Sequence, residues 1–241
     1  MENQEIDQND NTLPLNTKVI EKHTVGGEST MWKTKIQNGE GVDSLIALKQ
    51  IRKEAFADEA EMKRSKEFYE FLKNFPGFGK FVPDTLYFKA RVTKDSEPQA
   101  FCVQQYIEGE RIDRISDDEL YKDQEVVRQL LEFINSSIEL LKTVQKDGSP
   151  MPDFMRTPEK ANTRVTLGGL ALHPRYSGNI FLADKPDENG QRIFFVDTGM
   201  NADIRTKKNW QLASKYIIAP LETAQLKSWK SKLEKIATQN N

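Results

Sequence analysis

The chain lacks the signs of an oxidising compartment or a bilayer. Its 241 residues hold one cysteine, Cys102, so an internal disulfide is excluded and a cytoplasmic location is the default. No apolar run approaches the roughly 18 residues that a membrane-spanning helix needs. The start, Met1-Glu2-Asn3-Gln4-Glu5, has no basic stretch leading into an apolar one, so no secretory signal and no membrane partner are expected. Charge of one sign is also missing: 35 basic against 37 acidic residues give a net charge of −2, which makes no case for bulk nucleic-acid binding. From Asp203 onward eight Lys/Arg face three Asp/Glu, a local excess that reads as a solvated helical face in preference to a nucleic-acid or acidic-partner patch. Internal repeats are absent. What is present is a hydrophobic content of 37% beside 30% charged residues, the balance of a soluble globular chain long enough for one large domain or two small lobes.

Periodicity divides the chain. Residues 1–13 are polar and read as a disordered tail. Val19-Ile20, the alternating Met31-Trp32-Lys33-Thr34-Lys35-Ile36, Leu45 to Ile51, Leu86-Tyr87-Phe88 and Phe101 to Ile107 read as five strands. A helix from about Asp58 to Asn74 carries Met62, Ser65, Phe68, Leu72 and Phe75 on one stripe and stops at Phe75-Pro76-Gly77. The second half is mainly helical. Val127, Leu130, Leu131, Ile134, Ile138 and Leu141 mark a helix over 124–144, and Leu226, Trp229, Leu233 and Ile236 share a face near the end. The expected fold class is α+β: a strand-rich N-terminal lobe over 14–108 and a helical C-terminal lobe over 109–241, with a cleft between them.

One hairpin carries chemistry. Gly178-Asn179 opens the apolar run Ile180-Phe181-Leu182, and Ile193-Phe194-Phe195-Val196 ends at Asp197. The turn-prone Asp184 to Gln191 joins them. Folded back, the two runs can bring a carboxamide and a carboxylate to one sheet edge. Such an oxygen pair suits Mg²⁺, which keeps several waters and binds phosphates besides.

Taken in order, several segments over residues 17–205 resemble the protein-kinase-like superfamily. Ile46-Ala47-Leu48-Lys49 resembles the strand whose lysine holds the α- and β-phosphates of ATP. The resemblance implies a glutamate partner for Lys49 on the following helix, with Glu67 preferred and Glu61 the alternative. Phe101 to Glu110 resembles the hinge between kinase lobes, where backbone groups at Gln105 and Ile107 would meet the adenine edge and Gln104 would control access behind it. Val196-Asp197-Thr198-Gly199 resembles the Asp-Phe-Gly metal site, so Asn179 and Asp197 would hold Mg²⁺. Gly26-Gly27 stands in for the phosphate-covering glycine loop, with Glu28 where an acid would repel phosphate.

The departures bear on activity. In the family's catalytic loop, His-Arg-Asp-x-x-x-x-Asn, the aspartate receives the substrate proton; here its position is Pro174, in Leu172-His173-Pro174-Arg175. Loss of general-base help costs roughly 10²–10⁴ in rate. His173 and Asp153 are the two candidates for a replacement base. The stretch after Gly199 leaves room for a minimal C-terminal lobe only. The expectation is an ATP- and Mg²⁺-binding, pseudokinase-like regulator with a nucleotide and a protein partner or substrate. The alternatives are an active atypical phosphotransferase using His173 or Asp153, and a nucleotide-free interaction scaffold.

Overall fold

The computed structural model describes residues 17–25, 29–37, 43–51, 59–90, 99–149, 151–152, 154, 178–197 and 208–239. The fold is α+β, with antiparallel sheets and a C-terminal helix. Contacts divide it into two compact units, residues 1–69 with 84–106 and residues 70–83 with 107–241. Among the described residues, no helix is long and apolar enough to cross a membrane.

The first unit is a five-stranded antiparallel sheet of β1 (Thr17–Val25), β2 (Ser29–Gln37), β3 (Asp43–Ile51), β4 (Thr85–Ala90) and β5 (Gln99–Gln105), ordered β1-β2-β3-β5-β4. The unbroken apolar run Ile46-Ala47-Leu48 belongs to the central strand, where both faces are covered, and all three residues are buried. Buried Thr34 donates its hydroxyl proton to the Ile46 carbonyl at 3.3 Å, which satisfies a polar group inside the sheet. Cys102 on β5 is buried as well. The helix α1 (Glu59–Asn74) follows β3 and buries Ser65, Phe68, Tyr69 and Leu72, while Met62 and Phe75 are half-buried. Tyr69 reaches β4, where its hydroxyl accepts from the Thr85 N–H at 3.2 Å. The expected stop holds: after Asn74 the chain turns through Gly77 at φ 74°.

The second unit is built on α3 (Gln124–Asp147), entered from the short α2 (Asp117–Leu120). Asp123 caps α3, its carboxylate accepting from the N–H groups of Glu125 at 2.9 Å and Val126 at 3.4 Å. At the other end Gly148, at φ 71°, takes the left-handed position that closes a helix. Of the stripe read from the sequence, Val127, Leu130, Ile134, Ile138 and Leu141 are buried and Leu131 is half-buried. Phe133 stands in a ring cluster with Phe78, Phe81 and Phe154, at centroid distances of 5.6, 5.2 and 6.1 Å. Each such fully buried ring contributes roughly 1.5–3 kcal/mol.

Two further parts complete this unit. A three-stranded sheet joins β6 (Gly109–Arg111), β7 (Ile180–Ala183) and β8 (Ile193–Phe195). A long helical run comprises α4 (Lys208–Ala213), a π-helical segment (Ser214–Ile218) and α5 (Ala219–Gln239). Leu226, Trp229 and Leu233 of α5 are buried as their spacing requires, while Ile236 is half-buried. The Trp229 indole donates to the Tyr121 hydroxyl at 3.0 Å.

Candidate functional site

The hairpin forms as its apolar runs dictate. Ile180 pairs with Phe195, Phe181 with Phe194 and Leu182 with Ile193. One step beyond, the Val196 N–H donates to the Asn179 carbonyl at 2.8 Å, so the ladder carries Asn179 and Asp197 to the same edge. There the Asn179 Nδ2 donates to the Asp197 Oδ2 at 3.2 Å. Asn179 is only 5% exposed, while Asp197 is half-buried. One amide oxygen and one carboxylate are a donor set that Mg²⁺ accepts alongside water and phosphate oxygens. The described residues hold no cluster of three or more His, Cys, Asp or Glu side chains able to hold a metal.

Two contacts fix the hairpin against α3 and β6. At its turn, Asp187 Oδ1 accepts from the N–H groups of Asn189 at 2.8 Å and Gln191 at 2.7 Å, and Gly190 takes φ 79°. Buried Gln129 of α3 then reads the turn backbone: it donates to the Gly190 carbonyl at 2.8 Å and accepts from the Arg192 N–H at 2.8 Å. On the other side, β6 lies along β7, with Arg111 opposite Phe181. Gly109 is required there, because a Cβ would come within 2.1 Å of the Leu182 carbonyl oxygen.

Arg111 is the residue beside the Asn179 edge that sequence reasoning missed. Its Nε and Nη2 donate to the two carboxylate oxygens of Asp113 at 3.0 and 2.7 Å, and the side chains are 13% and 8% exposed. The guanidinium lies flat on Gly178, where a Cβ would meet Nη2 at 2.6 Å. Asp113 lies in the turn that follows β6, so strand alternation gave no signal for the pair.

In the first unit, the register sets Lys49 opposite Cys102 on β5. Gln104, two residues along on the same face, is its diagonal neighbour. The Lys49 ammonium donates to the Gln104 Oε1 at 3.1 Å, and the Gln104 amide nitrogen donates to the Thr85 hydroxyl at 3.0 Å. Gln104 is 2% exposed, so this chain of bonds holds the lysine in a fixed direction. Glu67 is not brought to Lys49. It is 62% exposed and pairs with Lys63 at 3.7 Å. The reason is rotational: Ser65, Phe68 and Leu72 turn inward, and position 67 falls off that stripe.

At the end of β5, the Gln105 N–H donates to the Asp84 carbonyl at 3.1 Å and the Tyr106 N–H to the Leu45 carbonyl at 3.3 Å. Gln105 is exposed and Ile107 half-buried. Gly26, Gly27, His173, Pro174 and Asp153 lie outside the described residues. No protein-family model and no curated protein matches the chain.

Proposed function

We propose that the chain has a two-lobed protein-kinase-like fold and binds ATP with Mg²⁺, and that its phosphotransfer is impaired or absent, so that it acts as a pseudokinase-like regulator. The observation that carries this reading is the Asn179–Asp197 pair, 3.2 Å apart at one edge of a hairpin. The same chain also carries a lysine on the third strand of a five-stranded antiparallel sheet, a helix as the next described element after that strand, and an apolar strand running into Tyr106-Ile107-Glu108-Gly109.

In this reading Asn179 and Asp197 hold Mg²⁺, which when bound neutralises phosphate charge. Lys49, oriented by Gln104, meets the phosphates, and Gly26-Gly27 covers them. The Gln105 carbonyl and the Ile107 N–H take the adenine edge, because the Gln105 and Tyr106 N–H groups are already bonded within the sheet. Glu61, the other glutamate of α1 that the resemblance admits, is the one we assign to Lys49 in place of Glu67. Pro174 removes the usual proton acceptor.

Thermal denaturation with ATP, Mg²⁺ and both together tests the reading. Ligand at 100 times its dissociation constant adds about 2.7 kcal/mol of stability. Wild type should be stabilised by the pair, Asp197→Ala should lose the Mg²⁺-dependent part, and Lys49→Ala should lose the ATP part. A wild type unmoved by ATP with Mg²⁺ removes nucleotide from the account. Phosphate release that wild type sustains and Asp197→Ala abolishes would replace the pseudokinase with an active phosphotransferase using His173 or Asp153.

A further inference from the structure

The basic excess after Asp203 plays no part in the Asn179 site. Some of it is a solvated face: Lys232 pairs with Asp117 and lies over the Tyr121 ring at 5.3 Å, and Lys235 is exposed. Lys227 and Lys230 are placed differently. Helices α3 and α5 run antiparallel, joined where the Gln145 amide donates to the Thr223 hydroxyl at 3.2 Å. Next to that bond opens a groove of about 460 Å³. Its charged lining is Glu139 and Lys142 from α3 with Lys227 and Lys230 from α5, and buried Ile138 and exposed Pro76 give it an apolar footing. All of these residues belong to the second unit.

Three ammonium groups against one carboxylate leave the groove with a net charge of +2, in a chain whose total is −2. Little of that charge is taken up. Lys227 has no ion pair among the described residues. Lys142 meets Glu139 at 2.7 Å with both side chains more than half exposed, and Lys230 meets Glu234, which does not line the groove, at 3.6 Å. Exposed pairs of this kind are weak in water, so each ammonium can turn to a stronger anion. Like charges gathered round a concavity also raise the local concentration of their counter-ions.

The lining says which anion fits. No arginine stands in it, and the planar arginine fork is what suits carboxylates, whereas a lysine ammonium is a compact point charge that suits phosphate. The volume lies within the roughly 300–1,000 Å³ of small-molecule sites. Three cations are too few for the run of phosphate contacts that a nucleic acid makes. We propose that the groove between α3 and α5 binds a small phosphate-bearing anion of two or more charges. Lys142, Lys227 and Lys230 hold its phosphate oxygens, and Ile138 and Pro76 meet its organic part. This inference does not rest on the nucleotide reading, whose Lys49 belongs to the first unit.

Isothermal titration of the full chain with inorganic tripolyphosphate, without Mg²⁺, tests it. Wild type should bind, more weakly as salt rises. Lys227→Gln with Lys230→Gln, and Lys142→Gln by itself, should each weaken binding about tenfold or more. Glu139→Gln removes the one carboxylate of the lining and should strengthen binding, a change that a loss of fold would not give. Lys235→Gln, on the same helix but outside the groove, should leave it unchanged. Binding should persist in Lys49→Ala, and an unmoved melting midpoint checks the folding of each groove variant. A wild type that does not bind overturns the proposal, as does binding that the Lys227→Gln, Lys230→Gln protein retains in full. Binding that Lys235→Gln weakens as much, or that disappears in Lys49→Ala, overturns it too. A pentaglutamate peptide bound there more tightly than tripolyphosphate would replace the phosphate ligand with an acidic protein partner.

Discussion

Replacing Gly178 by alanine tests how tightly the Asn179 edge is held from below. The new methyl carbon would stand 2.6 Å from Arg111 Nη2, 2.8 Å from Cζ and 3.2 Å from Nε. Arg111 cannot swing away cheaply, because both of its bonds to Asp113 would break in a nearly buried setting. Overpacking of this kind costs about 1–3 kcal/mol. Arg111→Ala strands the Asp113 carboxylate and should cost about 3–5 kcal/mol. Once Arg111 is gone, however, the alanine at 178 has room. The double variant should therefore lie close to Arg111→Ala alone, leaving a coupling of about 1–3 kcal/mol between the two positions. Urea denaturation of the four proteins, followed by circular dichroism, measures it. Simple additivity, to within about 0.5 kcal/mol, would show that the guanidinium does not rest on Gly178 and would refute the argument.

Other substitutions probe the surrounding supports. Asp123→Ala should lower stability by about 1 kcal/mol through loss of the α3 cap, and Asp123→Asn should recover most of it in the same denaturation experiment. Gln129→Leu leaves the Arg192 N–H and the Gly190 carbonyl without their side-chain partner, and should cost about 1–3 kcal/mol. Its hydrogen-exchange signature should concentrate in the Asp184–Arg192 turn. Phe133→Ala empties the centre of the ring cluster and should cost about 3–5 kcal/mol, read as a fall in the urea midpoint. Gln104→Leu removes one acceptor of the Lys49 ammonium, and on the proposed function should weaken ATP binding more than Thr85→Val does.

Where burial repeats at a fixed period, the sequence was readable. The α3 stripe, the α5 face and the end of α1 at Phe75-Pro76-Gly77 follow from spacing and turn chemistry alone. The hairpin was readable for the same reason, since two apolar runs flank a segment rich in Asp, Asn and Gly. What escaped depends on rotation and on short local geometry. Linear separation from Lys49 favoured Glu67, but the phase of α1, set by Ser65, Phe68 and Leu72, turns that residue to solvent. The strand Gly109–Arg111 has no apolar alternation, so it exists only because β7 offers it an edge. The helical run through Pro220 was hidden because proline ordinarily clashes with the carbonyl four residues back. The wider π turn just before it displaces that carbonyl, which lets the helix continue.

The burial of Cys102 has a practical consequence. As the chain's only thiol, it sits on β5 between β3 and β4, 3% exposed. A thiol-directed reagent therefore reaches it only when the structure that covers it opens. Pulse alkylation would report the rate of that opening with no label engineered in.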